Sequence, residues 1–190
     1  MAEGKRRRPA GHSVLGTAGR RQIDCCNRQR LLPVRVTDLK RLMASALDAT
    51  GIETAEISLA IVDDEEIAQL HEVWLGVPGP TDVITFDLSP PAGLARSTGS
   101  TDLSTHLAGE IVASGETAHR EAGRYHWQPE HELAYYLVHG LLHLCGYDDH
   151  SPAERRAMRR RERQVMEDIG LPPPPRRLPR RRGKAASPSR

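Results

Sequence analysis

Apolar residues recur along this chain at two periods, one of two residues and one of three to four, and stretches of each kind follow one another. Leu31–Val36 is short, apolar and β-branched at its end, which predicts a first strand. Thr37 or Asp38 can cap a helix reaching about Ala49, with Leu39, Leu42, Met43, Ala46 and Leu47 on its buried stripe. Gly51 closes that helix. Ala55–Val62 alternates at Ile57, Leu59 and Ile61 and predicts a second strand, after which Asp63 and Asp64 are capping candidates. A helix over 65–74 then puts Ile67, Leu70 and Trp74 on one side, and Gly76, Pro78, Gly79 and Pro80 force a loop. Asp82–Leu88 and Leu107–Ala113 predict two more strands, separated by a long surface loop over 89–106 that is poor in large apolar side chains.

Beyond the fourth strand the period is helical throughout. Glu116–Gly123 predicts a short helix. The next begins near Pro129 and runs through Leu137, Val138, Leu141, Leu142 and Leu144. It is apolar nearly all round, so it is expected to be the central buried helix. Ser151, Pro152 and Glu154 form the start of a last helix that continues to Gly170, where Leu171 and four prolines stop it. The order of elements predicts one α+β domain, a small mixed sheet of about four strands packed with helices. Its expected bounds are 22–170, between a disordered basic arm over 1–21 and a disordered Pro- and Arg-rich tail over 171–190.

Charge distinguishes these three parts. The net charge is only +2, but the arm carries +5 and the tail +7, which leaves −10 on 22–170. Basic tails on an acidic body favour a polyanionic partner, most often nucleic acid, and are otherwise solvated spacers. Three cysteines, Cys25, Cys26 and Cys145, make no disulfide framework and are read as reduced thiols of a cytoplasmic protein. No apolar run is long enough to span a membrane, and no apolar segment follows the basic N-terminus as a secretory signal would require.

The chemistry concentrates on the central helix. His139 and His143 lie four residues apart, so both rings leave one helical face and can meet one metal ion. Gly146 can end the helix in a left-handed turn, bringing a third ligand from Asp148, Asp149 or His150. Three protein ligands and an open position describe a catalytic zinc site, with one ion per chain expected. The bland alternative is a pair of core histidines bonded to carbonyls. The spacing is that of the zincin motif His-Glu-x-x-His, but Gly140 stands where the general-base glutamate would be, which argues against a metallopeptidase. Glycine there would let backbone or substrate approach the metal. A water activated by the ion could attack a phosphodiester, or the ion could activate a ribose 2′-hydroxyl. Glu132, two turns before His139, is either a group orienting a ligand or a solvated one.

The stretch from His139 to Asp148, His-Gly-Leu-Leu-His-Leu-Cys-Gly-Tyr-Asp, resembles the signature of the YbeY family of bacterial ribosomal RNA maturation endoribonucleases. Pro80-Thr81-Asp82-Val83-Ile84-Thr85-Phe86 and Gly109-Glu110-Ile111-Val112-Ala113-Ser114 resemble two further family stretches, so the similarity covers about 30–170. The resemblance implies zinc held by three signature histidines, here His139, His143 and His150, and cleavage of single-stranded RNA. It implies maturation of the 3′ end of small-subunit ribosomal RNA and ribosome quality control, with precursor RNA and the ribosome or its small subunit as partners. A non-catalytic RNA-binding factor with structural zinc is the rival reading. Two departures stand out. Asp149 is inserted before His150, so Asp149 competes with His150 for the third ligand position. Leu75 follows Trp74 where the family commonly has an activity-supporting arginine; Arg96, Arg120, Arg124 or the tails are candidate substitutes, and the alternative is weak activity or a protein that mostly binds RNA. Arg155, Arg156, Arg159 and Arg160 on the last helix either contact phosphates or form a solvated face.

Overall fold

The computed structural model describes residues 20–89 and 106–175. The elements run β1 (Arg21–Asn27), α1 (Val36–Thr50), β2 (Ala55–Val62), α2 (Asp64–Leu75), β3 (Val83–Asp87), β4 (Leu107–Ser114), α3 (Gly115–Tyr125), α4 (Pro129–Leu144) and α5 (Pro152–Asp168). The four strands form one mixed sheet in the order β1-β2-β4-β3. β1, β2 and β4 run parallel, and β3 pairs antiparallel with β4 at the edge. The α+β architecture expected from the alternating periods is the one observed. Most of the basic arm and tail, and nearly all of the 89–106 loop, lie outside the described residues. Among the described residues no helix is long and apolar enough to cross a membrane.

The first strand is not where the apolar pattern put it. β1 spans Arg21–Asn27, and Leu31–Val36 holds no strand. β1 is an edge strand whose side chains alternate between half-buried and exposed, with only Ile23 strongly apolar. Leu31–Val36 is interrupted by Pro33, and its backbone is satisfied locally. The buried Gln29 side chain accepts from the Leu32 N–H at 2.8 Å and donates to the Leu32 carbonyl at 3.0 Å, doing for that residue what a partner strand would. α1 also differs at its start: Arg35 is the N-cap and no side chain caps it, while Asp38 lies inside the first turn. Its close is as expected, with Gly51 at φ 77° in the left-handed turn.

α4 is the centre of the molecule, packed against α1, α3, α5, β3 and β4. Leu133, Leu137, Val138, Leu141 and Leu142 are fully buried around its circumference. On the opposite face of the sheet a smaller cluster of Ala60, Val62, Ile67, Ile84 and Val112 lies under α2. Trp74 is not in that cluster as its helical spacing suggested. It is 64% exposed and rests edge-on against Phe86, with ring centroids 5.5 Å apart.

Gly140 is explained by how closely α4 approaches the sheet. A Cβ there would lie 2.8 Å from Ile111 Cγ2 and 3.1 Å from Thr85 Oγ1, so the space beside it belongs to β4 and β3 and not to substrate or metal. Ile111 is fully buried and has little room to move. Gly140→Ala is therefore expected to destabilise the fold by about 1–3 kcal/mol, despite a helix-propensity gain of about 1 kcal/mol. Denaturant unfolding measures it, and a variant at or above wild-type stability would contradict the crowding argument.

Candidate metal and RNA site

The turn after α4 is built as the sequence predicts. Gly146 takes φ 85°, its N–H donates to the His143 carbonyl at 2.9 Å, and the Tyr147 N–H donates to the Leu142 carbonyl at 3.0 Å. This paired closure satisfies the last carbonyls of the helix and turns the chain sharply at 146. Ser151 then caps α5 in a complete capping box with Glu154. The Arg155 guanidinium reaches back and donates to the Asp149 carbonyl at 2.9 Å and the His150 carbonyl at 2.7 Å, so α5 holds the turn in place.

His139 and His143 meet as their spacing requires: their Nε2 atoms are 3.1 Å apart. Two nitrogen ligands on one tetrahedral zinc would be about 3.3 Å apart, given Zn–N bonds near 2.0–2.1 Å. The pair thus already has the separation that a shared ion needs. Behind it, His139 Nδ1 lies 2.6 Å from Glu162 Oε1 on α5, and Glu162 is only 2% exposed. With Nδ1–H donating to that carboxylate, the outer nitrogen of His139 is the one left to bind an ion.

The electrostatics of the two rings differ. Burial pulls the His139 pKa down, but the Glu162 carboxylate, together with the charges of Asp82 and Asp149, raises it above the ordinary imidazole value. Burial and the neighbouring His139 lower the His143 pKa. When doubly protonated, His139 donates from Nδ1 to the Glu162 carboxylate and from Nε2 to the His143 Nε2.

Neither candidate for the third ligand joins the pair directly. Asp148, Asp149 and His150 bring their ligand atoms within 4.8 Å of one another, the one such group of three among the described residues. His150 has a side chain that is 86% exposed, with Nε2 3.3 Å from Asp148 Oδ1. Asp149 lines a cavity of about 430 Å³ together with His139, Tyr135, Glu162, Arg155 and Arg159.

Glu162 is the site residue that the sequence reading missed. Its signal was present: Met158, Glu162, Val165 and Met166 share the buried stripe of α5, and an acid on that stripe needs a partner. Glu132 is fully buried, which removes the solvated reading. The arginines proposed to replace the one missing at Leu75 are committed elsewhere. Arg120 bonds Asp64 at 2.6 Å, and Arg124 bonds Glu121 at 2.5 Å. Ser114 and Thr117 hydroxyls also donate to Asp64, tying α2, β4 and α3 together. Burial pushes the Asp64 carboxyl up, yet these hydrogen bonds outweigh it and hold its pKa below the ordinary 3.8. Arg96 lies outside the described residues.

Comparison with known proteins agrees with this reading. The family model described as Endoribonuclease YbeY matches residues 24–170. Curated relatives named Endoribonuclease YbeY include that of Pelotomaculum thermopropionicum, 40% identical over 70% of this chain and 85% of its own length. That of Desulfitobacterium hafniense is 43% identical over 63% of this chain and 74% of its own length. The solution structure of TM1509 from Thermotoga maritima shares the fold, with a TM-score of 0.53 at 22% identity over 78% of this chain and 89% of that one. A signature helix bearing two facing histidines, set in a domain that the family model spans almost completely, makes this chain a member of the YbeY endoribonuclease family.

Proposed function

We propose that this protein is a zinc-dependent endoribonuclease that cleaves single-stranded RNA. Its substrate is precursor ribosomal RNA at the 3′ end of the small-subunit molecule, in a role that extends to ribosome quality control and brings it to the ribosome. The observation that supports this best is the facing His139–His143 pair with Glu162 behind it, in a chain of this family. A peptidase reading is poorer, because Ile111 and Thr85 occupy the space that a glutamate at 140 would need.

In this reading His139 and His143 hold the ion through Nε2. Zinc bound there supplies Lewis-acid polarisation of a phosphoryl oxygen and eases deprotonation of the attacking oxygen. Glu162 fixes the His139 tautomer and ring orientation, and is thereby committed. Asp149 is the other carboxylate facing the cavity, and its charge already acts on both rings. Asp149 lines the cavity with His139 and is the better placed third ligand, whereas the His150 side chain is exposed and lies against Asp148.

The test is zinc content and cleavage of a single-stranded oligoribonucleotide, with and without chelator. About one zinc per chain and chelator-sensitive cleavage are expected. Asp149→Ala is expected to lose zinc more readily than His150→Ala. The reverse order would return the third position to His150, and chelator-resistant cleavage would sink the metal-dependent reading.

A further inference from the structure

The acidic body poses a difficulty for an enzyme that acts on RNA, since residues 22–170 carry −10. Phosphates approaching the histidine pair therefore need local positive charge. The groove between α4 and α5 has it. Arg155, Arg159 and Arg163 succeed one another at four-residue spacing on α5, so they form one stripe along the helix, and all three line the cavity that contains His139. Arg156 and Arg160 are exposed on the same helix and do not line it.

The three cavity arginines are not equivalent. Arg155 is spent on the carbonyls of Asp149 and His150. Arg163 lies 3.7 Å from Glu167. Of the two carboxylates in the cavity, Glu162 is matched by His139, and Asp149 sits beside the loop that Arg155 holds. Arg159 has neither an ion pair nor a hydrogen bond to any described residue. It is an uncommitted guanidinium on the wall of the cavity shared with His139. The same cavity is lined by Tyr135, whose ring centroid is 6.1 Å from that of His139.

We infer that the α4–α5 cavity is a phosphate-binding subsite in which Arg159 holds a backbone phosphate of single-stranded nucleic acid beside the His139–His143 centre. A planar guanidinium can grip two phosphate oxygens at once, and its fixed charge needs no deprotonation step. Tyr135, which lines the same cavity, supplies an aromatic ring of the kind that suits an unpaired base or ribose and not a closed duplex. The inference rests on the endoribonuclease reading for its substrate, but it is tested separately from it.

Two measurements on zinc-loaded protein separate the two claims. The first is equilibrium binding of a labelled single-stranded oligodeoxynucleotide, which presents the same phosphates. The second is the KM and kcat for cleavage of the matching oligoribonucleotide. Arg159→Gln is expected to weaken binding about tenfold and to flatten the slope of log K against log salt by about 0.7. KM should rise by a similar factor, with zinc content unchanged. Arg159→Lys should recover the salt slope but only part of the affinity. Arg156→Gln should behave as wild type. Equal effects of Arg159→Gln and Arg156→Gln would overturn the subsite and leave the cleavage reading intact. Arg159-dependent binding in a wild-type protein that cleaves no RNA would do the opposite.

Discussion

Replacing His143 with alanine is expected to strip the protein of zinc and to lower cleavage of single-stranded RNA at least about a hundredfold. Loss of a group that merely supports a metal ligand commonly costs about 10–100-fold in affinity or activity, so loss of a ligand itself should cost no less. His143 offers Nε2 3.1 Å from that of His139, and its lowered pKa leaves it neutral and ready to bind an ion at pH 7. The ring is only partly buried, at the edge of the core and not within it. The variant should therefore fold, with a circular dichroism spectrum and unfolding midpoint close to those of metal-free wild type. A folded His143→Ala protein that retains stoichiometric zinc and wild-type cleavage would remove the histidine pair from the mechanism. His139→Ala should lose zinc likewise, but it also leaves Glu162 buried without its partner, so its stability should fall as well.

The sequence announces these two histidines because their period and their surroundings disagree. A helix apolar on every side has few reasons to carry two imidazoles on one face, and the paired turn at Gly146 follows from the same local signals. Most of the architecture is legible on similar grounds, since β2, β4, α4 and α5 each show a clean period or a strong cap. What is not legible depends on distant partners. β1 is polar on its exposed side and owes its existence to pairing with β2, while the more apolar Leu31–Val36 is served by the side chain of Gln29. Gly140 reads as an opening toward the metal until Ile111, on β4, is seen filling the space. The commitment of Arg120 to Asp64 spans an even longer separation, and no periodicity reports it. The third ligand is obscured differently. Asp149 lines the cavity while His150 is exposed, and a motif aligned by letters does not show that.

Glu162→Gln should lower zinc affinity by about 10–100-fold while leaving the fold in place. The substitution keeps the volume of a side chain that is 2% exposed and retains an oxygen able to accept from His139 Nδ1. It removes the negative charge. That charge favours the Nδ1–H tautomer, makes the outer nitrogen a stronger donor to the metal, and offsets part of the ion's charge in a buried site. The neutral amide does each of these less well, and its NH2 group must find an acceptor in a space shaped for a carboxylate. Competition with a chromophoric chelator measures the affinity directly, without reliance on activity. Cleavage at saturating zinc then separates the two contributions: recovery there would assign Glu162 to holding the metal, and a residual defect would assign it also to the orientation of His139. Wild-type zinc affinity in Glu162→Gln, alongside lost affinity in His143→Ala, would mean that the 2.6 Å contact serves packing alone. The buried acid on α5 would then be a structural partner of His139, and the metal site would end at α4 and the turn that follows it.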